Sequence, residues 1–345
     1  MNILGIETSC DESAASVVRD GGAVLSSVVY SQIPLHERYG GVVPEIASRS
    51  HVEVLPGIIE RAVQESGLCW QALDGVAVTY GPGLASSLLV GLNAAKALAL
   101  RLGRALVGVN HLEAHIVSVL LGSEAPRFEQ ICPLLVLLVS GGHTCLVRIP
   151  VLGRYEMLGQ TLDDAAGEAF DKGAKLLGLG YPGGPAIQEA SVGGDPAFVR
   201  FPRGLARGGA RRNAKPDREY AFSFSGVKTA LLYYLRDHPD AAGRSADLAA
   251  SYQEAIVESL MRPLERAARR FEAAALAVVG GVSLNARLRE RAAQVAARVG
   301  LPLVLADKAY CTDNAAMVAG LAGLGLGLRG KDADRLDAVP NLPLT

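Results

Sequence analysis

The feature that most constrains the fold is an order of predicted strands and helices that occurs twice along the chain. Each copy opens with two strands around a polar turn, adds a third strand, and then alternates helix with strand. The first copy has predicted strands at residues 3–7, 14–19 and 23–30, a helical region from 44 to about 67, strand 75–79, helix 84–102, strand 105–109 and a helix from 111. Such alternation predicts an α/β fold in which helices cover a sheet.

The second copy begins at Pro133 and repeats that order without obvious residue identity to the first. Its predicted elements are strands 134–139, 144–149 and 155–161, helix 163–177, a helical and loop insertion at about 183–272, strand 275–279, a helix to 299, strand 303–306 and helix 313–326. We therefore expect two duplicated lobes, residues 1–130 completed by a C-terminal helix at about 315–345, and residues 131–314 carrying the insertion. Ligands of two-lobed α/β proteins usually occupy a cleft between the lobes, and we expect one here.

Composition excludes several classes of protein. With 345 residues, half of them hydrophobic, the chain is long enough for two cores, and its net charge of −1 provides no global attraction to nucleic acid or membrane. The five cysteines are scattered without a C-x-x-C pair, which is typical of a reducing cytoplasm. No signal peptide is visible, and the longest apolar run, residues 315–328, is shorter than the ~20 residues of a membrane span. We therefore expect a cytoplasmic protein that contacts no membrane.

Two histidines four residues apart follow the predicted strand at 105–109. On a helix that begins after Asn110, whose side chain can cap it, His111 and His115 project from one face and can reach the same divalent ion. The alternative is that the two histidines are unrelated. The spacing differs from the H-E-x-x-H pattern of zinc peptidases, because Leu112 follows the first histidine and Glu113 would face away from the ion. We therefore expect a metal site and no peptidase activity.

A third metal ligand is needed, and Asp313 is the strongest candidate. It begins the predicted helix after the last strand of the second copy, which would place it on the cleft side of the second lobe. The alternative role of Asp313 is to cap that helix. Two imidazoles and one carboxylate leave coordination positions open for substrate or water, and such a site accepts Zn²⁺ or Fe²⁺.

The polar turns that open the two copies are candidates for phosphate binding. The first turn offers hydroxyls and carboxylates at residues 8–13, and the glycines of the second turn, at 140–142, let backbone approach a phosphate closely. A Gly-rich joint at 280–285 ends in Asn285, which can both donate to and accept from an adenine or ribose. The alternative is that all three are ordinary tight turns. The sequence contains neither a P-loop nor a Rossmann signature.

A basic segment at residues 199–219 is the local feature that favours nucleic acid. It carries seven cations against two acids, is rich in glycine and has no apolar periodicity. Arg207, Arg211 and Arg212 are its central cations, and a mobile arm of this kind would bind phosphates in a salt-dependent manner. The alternative is a solvated surface loop that contributes only to solubility.

Seven stretches of the chain together resemble the tRNA N6-adenosine threonylcarbamoyltransferase (TsaD) family, which older naming called O-sialoglycoprotein endopeptidase. The resemblance covers nearly the whole chain, in order, and residues 7–12 and 39–45 are similar to the bacterial branch. The seven stretches are residues 111–115, 138–144 (LVSGGHT), 163–172, 180–185 (GYPGGP), 222–229 (FSFSGVKT), 280–285 (GGVSLN) and 311–317. Gly173 and residues 284–286 depart from the commonest family spelling.

The resemblance implies a fold of the actin, Hsp70 and sugar-kinase (ASKHA) type, in agreement with the repeated element order. It implies transfer of a threonylcarbamoyl group from threonylcarbamoyl-AMP to N6 of the adenosine beside the anticodon, in tRNAs that read codons beginning with A. His111, His115 and Asp313 match the family's metal ligands, which implies one divalent ion, Fe²⁺ or Zn²⁺, per subunit. The residues that match adenylate-binding positions, which ATP or ADP could also occupy, are Leu138, Val139, Ser140, Gly141, Gly142, Asp171, Gly184 and Asn285.

The resemblance also implies partners, namely tRNA, a smaller inactive paralogue similar to TsaB and an ATPase similar to TsaE, in a multisubunit complex. Because the acyl adenylate is already activated and the adenine amine is a weak nucleophile, we expect Asp11, in the first turn, to take or position the amine proton. The alternative functions are an ATP-dependent small-molecule phosphotransferase of the same fold and a non-catalytic nucleotide-binding scaffold. Neither alternative would need the two histidines and Asp313 together.

Overall fold

The computed structural model describes residues 1–204 and 219–344, which form two compact units. Unit 1 comprises Met1–Phe128 and Ala306–Thr345, and unit 2 comprises Glu129–Leu305. Asp313 therefore belongs to unit 1, whereas the predicted second lobe extends to residue 314. The physical reason is that the helix after Asp313 packs on the first sheet. The segment that leads into this helix therefore also lies in unit 1.

Strands and helices alternate along the chain in the predicted order. The strands are β1 (Asn2–Glu7), β2 (Glu12–Arg19), β3 (Ala23–Ser31), β4 (Gly75–Gly81), β5 (Ala105–Asn110), β6 (Leu134–Val139), β7 (Thr144–Val151), β8 (Arg154–Gln160), β9 (Ala275–Val279) and β10 (Leu303–Leu305). The helices are α1 (Ile33–His36), α2 (Pro44–Glu65), α3 (Ala85–Leu102), α4 (His111–Val117), α5 (Phe128–Ile131), α6 (Ala166–Leu176), α7 (Gly183–Ala190), α8 (Ser225–Asp237), α9 (Ser245–Arg270), α10 (Ala286–Val299), α11 (Ala315–Gly323) and α12 (Lys331–Asp334).

Unit 1 is built on a five-stranded sheet with the order β3-β2-β1-β4-β5. The three opening strands pair antiparallel, and β1, β4 and β5 pair parallel, so the carboxyl ends of these three strands lie at one edge. Helices α2 and α3 contribute buried side chains such as Leu55, Ile59 and Leu92 to the core of this unit. Helix α11 packs against β1 and β2.

Unit 2 repeats the topology of unit 1. Its sheet has the order β10-β9-β6-β7-β8, which is the order of the first sheet with β6, β7 and β8 in the places of β1, β2 and β3. The pairing directions also match, antiparallel through β6, β7 and β8 and parallel from β6 to β9 and β10. The predicted α/β fold with a repeated element order is therefore confirmed. The insertion contributes α7, α8 and α9, and the α9 side chain of Tyr252 is fully buried in the core of unit 2.

Helix α3 is long and apolar enough, by length and composition alone, to cross a membrane. However, one face of α3 is buried, with Leu88, Leu92 and Ala95 at 0%, 1% and 0% exposure. The core helix of a globular unit satisfies the same criterion of length and composition. The burial of these residues identifies α3 as a core helix of unit 1.

Gly5 on β1 marks the closest approach of α11 to the first sheet. A β-carbon at Gly5 would lie 2.3 Å from the carbonyl oxygen of Ala315 and 2.8 Å from the amide nitrogen of Ala319. Because these are backbone atoms, Gly5→Ala must push α11 away from β1. We expect this variant to lower the free energy of unfolding, measured by urea titration, by at least ~1–3 kcal/mol, the usual cost of overpacking a core.

The matched control is Gly57→Ala, on an exposed position of α2 where a β-carbon would meet no described atom within 4 Å. This substitution replaces a helical glycine, so we expect it to raise the free energy of unfolding by ~0.5–1 kcal/mol. Equal stabilities of the two alanine variants would contradict the tight packing of α11 on β1.

Candidate metal centre

The joint between β5 and α4 presents two histidines on the same side of a short helix. The side-chain oxygen of Asn110 accepts a hydrogen bond from the backbone N–H of Leu112 at 2.9 Å, which starts α4 at His111 as the sequence predicts. The rings of His111 and His115 lie 4.6 Å apart between centroids and are nearly perpendicular, at 77°. Both side chains are buried, with 5% and 0% of the residue exposed.

Asp313 lies beside these two rings. Its Oδ1 atom is 3.0 Å from Nε2 of His115 and 3.6 Å from Nε2 of His111. The cap of α11 is Asn314, whose side chain accepts from the backbone N–H of Met317 at 3.0 Å. The alternative role considered for Asp313, capping this helix, therefore belongs to the next residue.

The three side chains fit a divalent cation. Each of the three side chains offers one donor atom, and the three donor atoms all lie within 4.8 Å of one another. Ligands bonded at 2.0–2.2 Å in a tetrahedral arrangement are separated by about 3.4 Å. The distances from Oδ1 of Asp313 to the two Nε2 atoms, 3.0 and 3.6 Å, are close to this value. The donor set of two imidazole nitrogens and a carboxylate oxygen suits Zn²⁺ or Fe²⁺ and leaves further positions for other ligands. All three residues belong to unit 1.

The electrostatics of the centre favour a positive charge. Burial opposes protonation of His111, but the carboxylates of Asp313 and Glu7 outweigh burial and raise the pKa of His111 to about 9. Burial likewise opposes ionisation of Glu7, yet the neighbouring His111 lowers the pKa of this carboxyl below its ordinary value. Two carboxylates around one imidazole thus form a pocket of negative charge that a cation can neutralise.

Glu7 is a residue of the centre that the sequence analysis did not select. It ends β1, is 0% exposed, and its Oε2 atom lies 3.1 Å from Nδ1 of His111. The signal that could have revealed it is an acid at the end of an otherwise apolar strand, because a buried carboxylate requires partners. The parallel pairing of β1 with β4 and of β4 with β5 brings the ends of these strands together.

Asp11 lies in the turn between β1 and β2 and is 8% exposed. Burial raises the pKa of the Cys10 thiol well above its ordinary value, and the charges of Asp11 and Asp313 raise it further. Burial also raises the pKa of Glu12 well above its ordinary value, again assisted by Asp313 and Asp11. This turn and Asp313 are therefore within electrostatic reach of each other, so the metal triad has an acidic surrounding.

His51 on α2 holds the β1–β2 turn by hydrogen bonds, and it is a second residue that was not predicted from the sequence. Its Nε2–H donates to the backbone carbonyl of Cys10 at 2.9 Å, and its Nδ1 accepts from the hydroxyl of Ser13 at 2.7 Å. Burial lowers the pKa of His51. A neutral imidazole with one donor and one acceptor satisfies both bonds.

The predicted adenylate-binding residues lie in unit 2, beginning at the end of β6. The side chains of Leu138 and Val139 are fully buried, so any ligand contact of these two residues would come from backbone. Ser140 closes a tight turn, in which its N–H donates to the carbonyl of His143 at 2.8 Å. β-Carbons at Gly141 and Gly142 would meet no described atom within 4 Å, so the space over this turn is open.

Three other glycines bring neighbouring segments against the β6–β7 turn and α6. A β-carbon at Gly280, whose φ is +89°, would lie 2.4 Å from the carbonyl oxygen of Val139, and one at Gly167 would lie 2.7 Å from that of Ser140. The N–H of Gly183 donates to the side chain of Asp171 at 2.7 Å. No described atom lies within 4 Å of a β-carbon built on Gly184.

Asn285 has a role that the sequence analysis did not assign. Its side-chain oxygen accepts from the N–H of Leu288 at 2.9 Å and caps α10, while its amide donates to Gln253 at 2.7 Å. Half of the hydrogen-bonding capacity of the Asn285 side chain is therefore used within the protein, and the other half is left for an adenine or ribose. The cations predicted to contact tRNA, Arg207, Arg211 and Arg212, lie outside the residues that the structure describes.

Sequence comparison gives matches over nearly the whole chain. A family model described as "TsaD: tRNA N6-adenosine threonylcarbamoyltransferase" matches residues 23–320. A relative of that name from Anaeromyxobacter dehalogenans (strain 2CP-C) is 52% identical over 333 residues, spanning 96% of this chain and 96% of the relative. Another from Geobacter sp. (strain M21) is 49% identical over 347 residues, spanning 100% of this chain and 97% of the relative.

Comparison of structures finds the same fold in proteins of low sequence identity. Component A of (R)-2-hydroxyglutaryl-CoA dehydratase from Acidaminococcus fermentans has a TM-score of 0.54 and 13% identity, covering 94% of this chain and 98% of that protein. HypF from T. kodakarensis has a TM-score of 0.57 and 16% identity, covering 94% of this chain and 47% of that protein. At these identities the likeness concerns the fold alone, and it confirms the expected ASKHA type.

The double variant His111→Ala/His115→Ala removes two of the three donor atoms of the metal centre. We expect the wild-type chain to retain about one Zn²⁺ per subunit after incubation and desalting, and the double variant to retain a background amount, because one carboxylate binds too weakly. Elemental analysis by mass spectrometry measures the metal. The control is His238→Ala, an exposed histidine of unit 2 stacked on Tyr234, which should leave the metal content unchanged. Stoichiometric metal in the double variant would refute the centre.

Proposed function

Because this chain belongs to the tRNA N6-adenosine threonylcarbamoyltransferase (TsaD) family, we propose that it transfers a threonylcarbamoyl group from threonylcarbamoyl-AMP to N6 of the adenosine beside the anticodon. The tRNAs would be those that read codons beginning with A. The observation that carries the proposal is the full-length match combined with the clustering of His111, His115 and Asp313. The alternative, a small-molecule phosphotransferase, is not favoured, since the relatives are named for acyl transfer.

We assign the metal as Fe²⁺ or Zn²⁺, held by His111, His115 and Asp313. When bound, such an ion supplies Lewis acidity for negative charge on phosphate and acyl oxygens. The chain's own contribution is a rigid set of donors, because both rings are buried and α4 is capped by Asn110. The protein therefore loses little side-chain entropy when the ion binds.

We propose that the adenylate donor binds at the Gly-rich segments of unit 2. The open space over Gly141 and Gly142 supports contact between their backbone N–H groups and the phosphate. The joint after β9 supports contact with the nucleoside, where Asn285 retains one donor and one acceptor for it. Asp171, whose carboxylate binds the N–H of Gly183, would shape the segment that leads to Gly184.

The reaction itself needs a proton acceptor rather than a protein nucleophile. The new bond joins N6 of adenosine to the carbamoyl carbon, the bond from that carbon to the phosphate oxygen breaks, and AMP leaves. The nitrogen then carries an excess proton, and we assign Asp11 as the group that accepts or positions it. The position of Asp11 supports this role, because it is buried in the polar β1–β2 turn between Cys10 and Glu12, both of which feel the charge of Asp313.

Membership of the family supports tRNA as the substrate. We propose that Arg207, Arg211 and Arg212 contact tRNA phosphates, since the segment at 199–219 carries seven cations against two acids. We further propose a TsaB-like paralogue and a TsaE-like ATPase as partners, and a cytoplasmic location where tRNA is available. Co-purification of the three proteins tests the partner assignment.

The proposed reaction predicts a specific modified nucleoside. We expect the chain, incubated with threonylcarbamoyl-AMP, unmodified tRNA and the two partner proteins, to convert one adenosine beside the anticodon to its N6-threonylcarbamoyl form. Nucleoside digestion followed by mass spectrometry detects the product. A tRNA with another base at that position should remain unmodified, and absence of product from the cognate tRNA would overturn the proposal.

The same assay separates the roles of individual residues. Asp11→Ala should lower turnover by ~10²–10⁴-fold, the usual contribution of general acid–base catalysis, while tRNA binding is retained. The control is Asp240→Ala, an exposed aspartate of unit 2 that should leave turnover unchanged. Equal turnover of the Asp11→Ala enzyme and wild type would remove the proposed proton transfer.

Neutralising the basic segment should weaken tRNA binding at low salt. We expect the triple alanine variant at Arg207, Arg211 and Arg212 to reduce the slope of log affinity against log salt by about 2–3, because each lost phosphate contact removes ~0.7–0.9. Filter binding between low and moderate salt measures the slope. The matched control removes three exposed arginines elsewhere in unit 2, Arg154, Arg269 and Arg270. The same slope in both triple variants would argue against a role for the segment.

A further inference from the structure

Glu7 is a buried carboxylate beside the metal centre to which the proposed reaction assigns no role. It is 0% exposed and ends a strand whose residues from Ile3 onward are all buried. Removing a carboxylate from water costs several kcal/mol unless hydrogen bonds and opposite charge compensate the loss. A residue of this kind at this place therefore has partners that stabilise it, and their arrangement indicates what it does.

Three donors surround the Glu7 carboxylate. The backbone N–H of Ser9 donates to Oε1 at 2.5 Å, and the hydroxyl of Thr79 donates to Oε2 at 2.6 Å. The third neighbour is Nδ1 of His111, 3.1 Å from Oε2. Because the first two donors belong to the β1–β2 turn and to β4, they hold the carboxylate fixed relative to the sheet. The sheet thereby presents a rigid acceptor to the ring of His111.

We propose that Glu7 is a positioning residue, which takes the Nδ1–H of His111 and directs Nε2 of the same ring at the metal. A neutral imidazole has one N–H, so a proton on Nδ1 leaves the lone pair on Nε2. Nε2 is the atom that faces Asp313, at 3.6 Å from its Oδ1. A carboxylate that accepts the second N–H of a ligating histidine fixes its tautomer and makes it a stronger ligand. This inference rests on the metal centre of the proposed function.

The hydroxyl of Ser9 is the other neighbour of this nitrogen, with Oγ 3.2 Å from Nδ1 of His111. A hydroxyl can donate or accept, so by itself it would not select one tautomer of the ring. The Glu7 carboxylate is an ionised acceptor, and charge-assisted hydrogen bonds are about twice as strong as neutral ones. Glu7 therefore determines which nitrogen of His111 carries the proton.

His115 has no equivalent support among the residues that the structure describes. Its Nδ1 is buried without a hydrogen-bond partner there, and its ring packs edge-on against His111. The contacts that orient the His115 ring are therefore the His111 ring and Asp313, whose Oδ1 lies 3.0 Å from Nε2 of His115. Loss of the hydrogen bond from His111 to Glu7 would loosen both imidazoles and lower the affinity for the ion.

The test is the affinity of the full chain for Zn²⁺ alone, measured by competition with a chromophoric chelator. Glu7→Gln keeps the side-chain size and an acceptor for Ser9 or Thr79, but it removes the charge. We expect it to bind Zn²⁺ about 10–100-fold more weakly than wild type, the usual effect of removing such a partner. The visible absorption of the Co²⁺-loaded chain should also change, because the His111 ring is no longer held in one orientation.

Ser13→Ala is the control for a general loss of stability. The Ser13 hydroxyl is buried in the same hairpin, and its hydrogen bond joins it to His51 at 2.7 Å and not to one of the three metal residues. We expect Ser13→Ala to lower the melting temperature and to retain wild-type Zn²⁺ affinity. Equal affinity of Glu7→Gln and wild type overturns the inference, and so does an equal loss in both variants, because that loss would report destabilisation.

Glu7→Asp provides a second route if the glutamine variant does not fold. It keeps the charge and withdraws the carboxylate by one methylene group, so the bond to Nδ1 is lost. We expect weaker Zn²⁺ binding and an altered Co²⁺ spectrum, and wild-type values for both would overturn the inference. A wild-type chain that binds no Zn²⁺ would instead overturn the metal centre itself, and the role of Glu7 with it.

Discussion

One imidazole held between two carboxylates is the interaction on which the metal centre depends. Glu7 lies on one side of His111 and Asp313 on the other, and their charges outweigh burial to raise the pKa of the ring to about 9. A proton on His111 neutralises part of the charge of the two carboxylates when no ion is bound. A divalent cation can neutralise more of this charge, and it also engages His115. The affinity for metal is therefore built into the charges around the rings as much as into the donor atoms.

Helix caps determine which side chains reach this position. Asn110 caps α4, so His111 is the first residue of the helix and His115 follows one turn later. Asn314 caps α11, so Asp313 stands just outside that helix with its side chain directed at the rings. Two asparagines outside the set of donor residues thus define the place of all three ligands, because a cap fixes where helical geometry begins.

The element order could be predicted from hydrophobic period alone, because each strand and helix leaves a local pattern in the sequence. The two histidines and the Asn110 cap could be predicted for the same reason, because they lie within six consecutive residues. The membership of Asp313 in unit 1 was not predicted, because the chain returns to unit 1 at Ala306, earlier than the return expected at about residue 315. Glu7 escaped prediction because an acid at a strand end usually faces water, and its burial depends on Thr79 and His111.

The discontinuity of unit 1 has a consequence during synthesis. The ribosome makes Met1–Phe128 first and Ala306–Thr345 last, with the whole of unit 2 between them. Helix α11, which packs on β1 and β2, is therefore synthesised only after more than a hundred residues of unit 2. Asp313 arrives only in that final segment, so a nascent chain halted within unit 2 would lack one of the three metal ligands. Binding of the metal by the full set of ligands therefore requires the last segment of the chain to be synthesised.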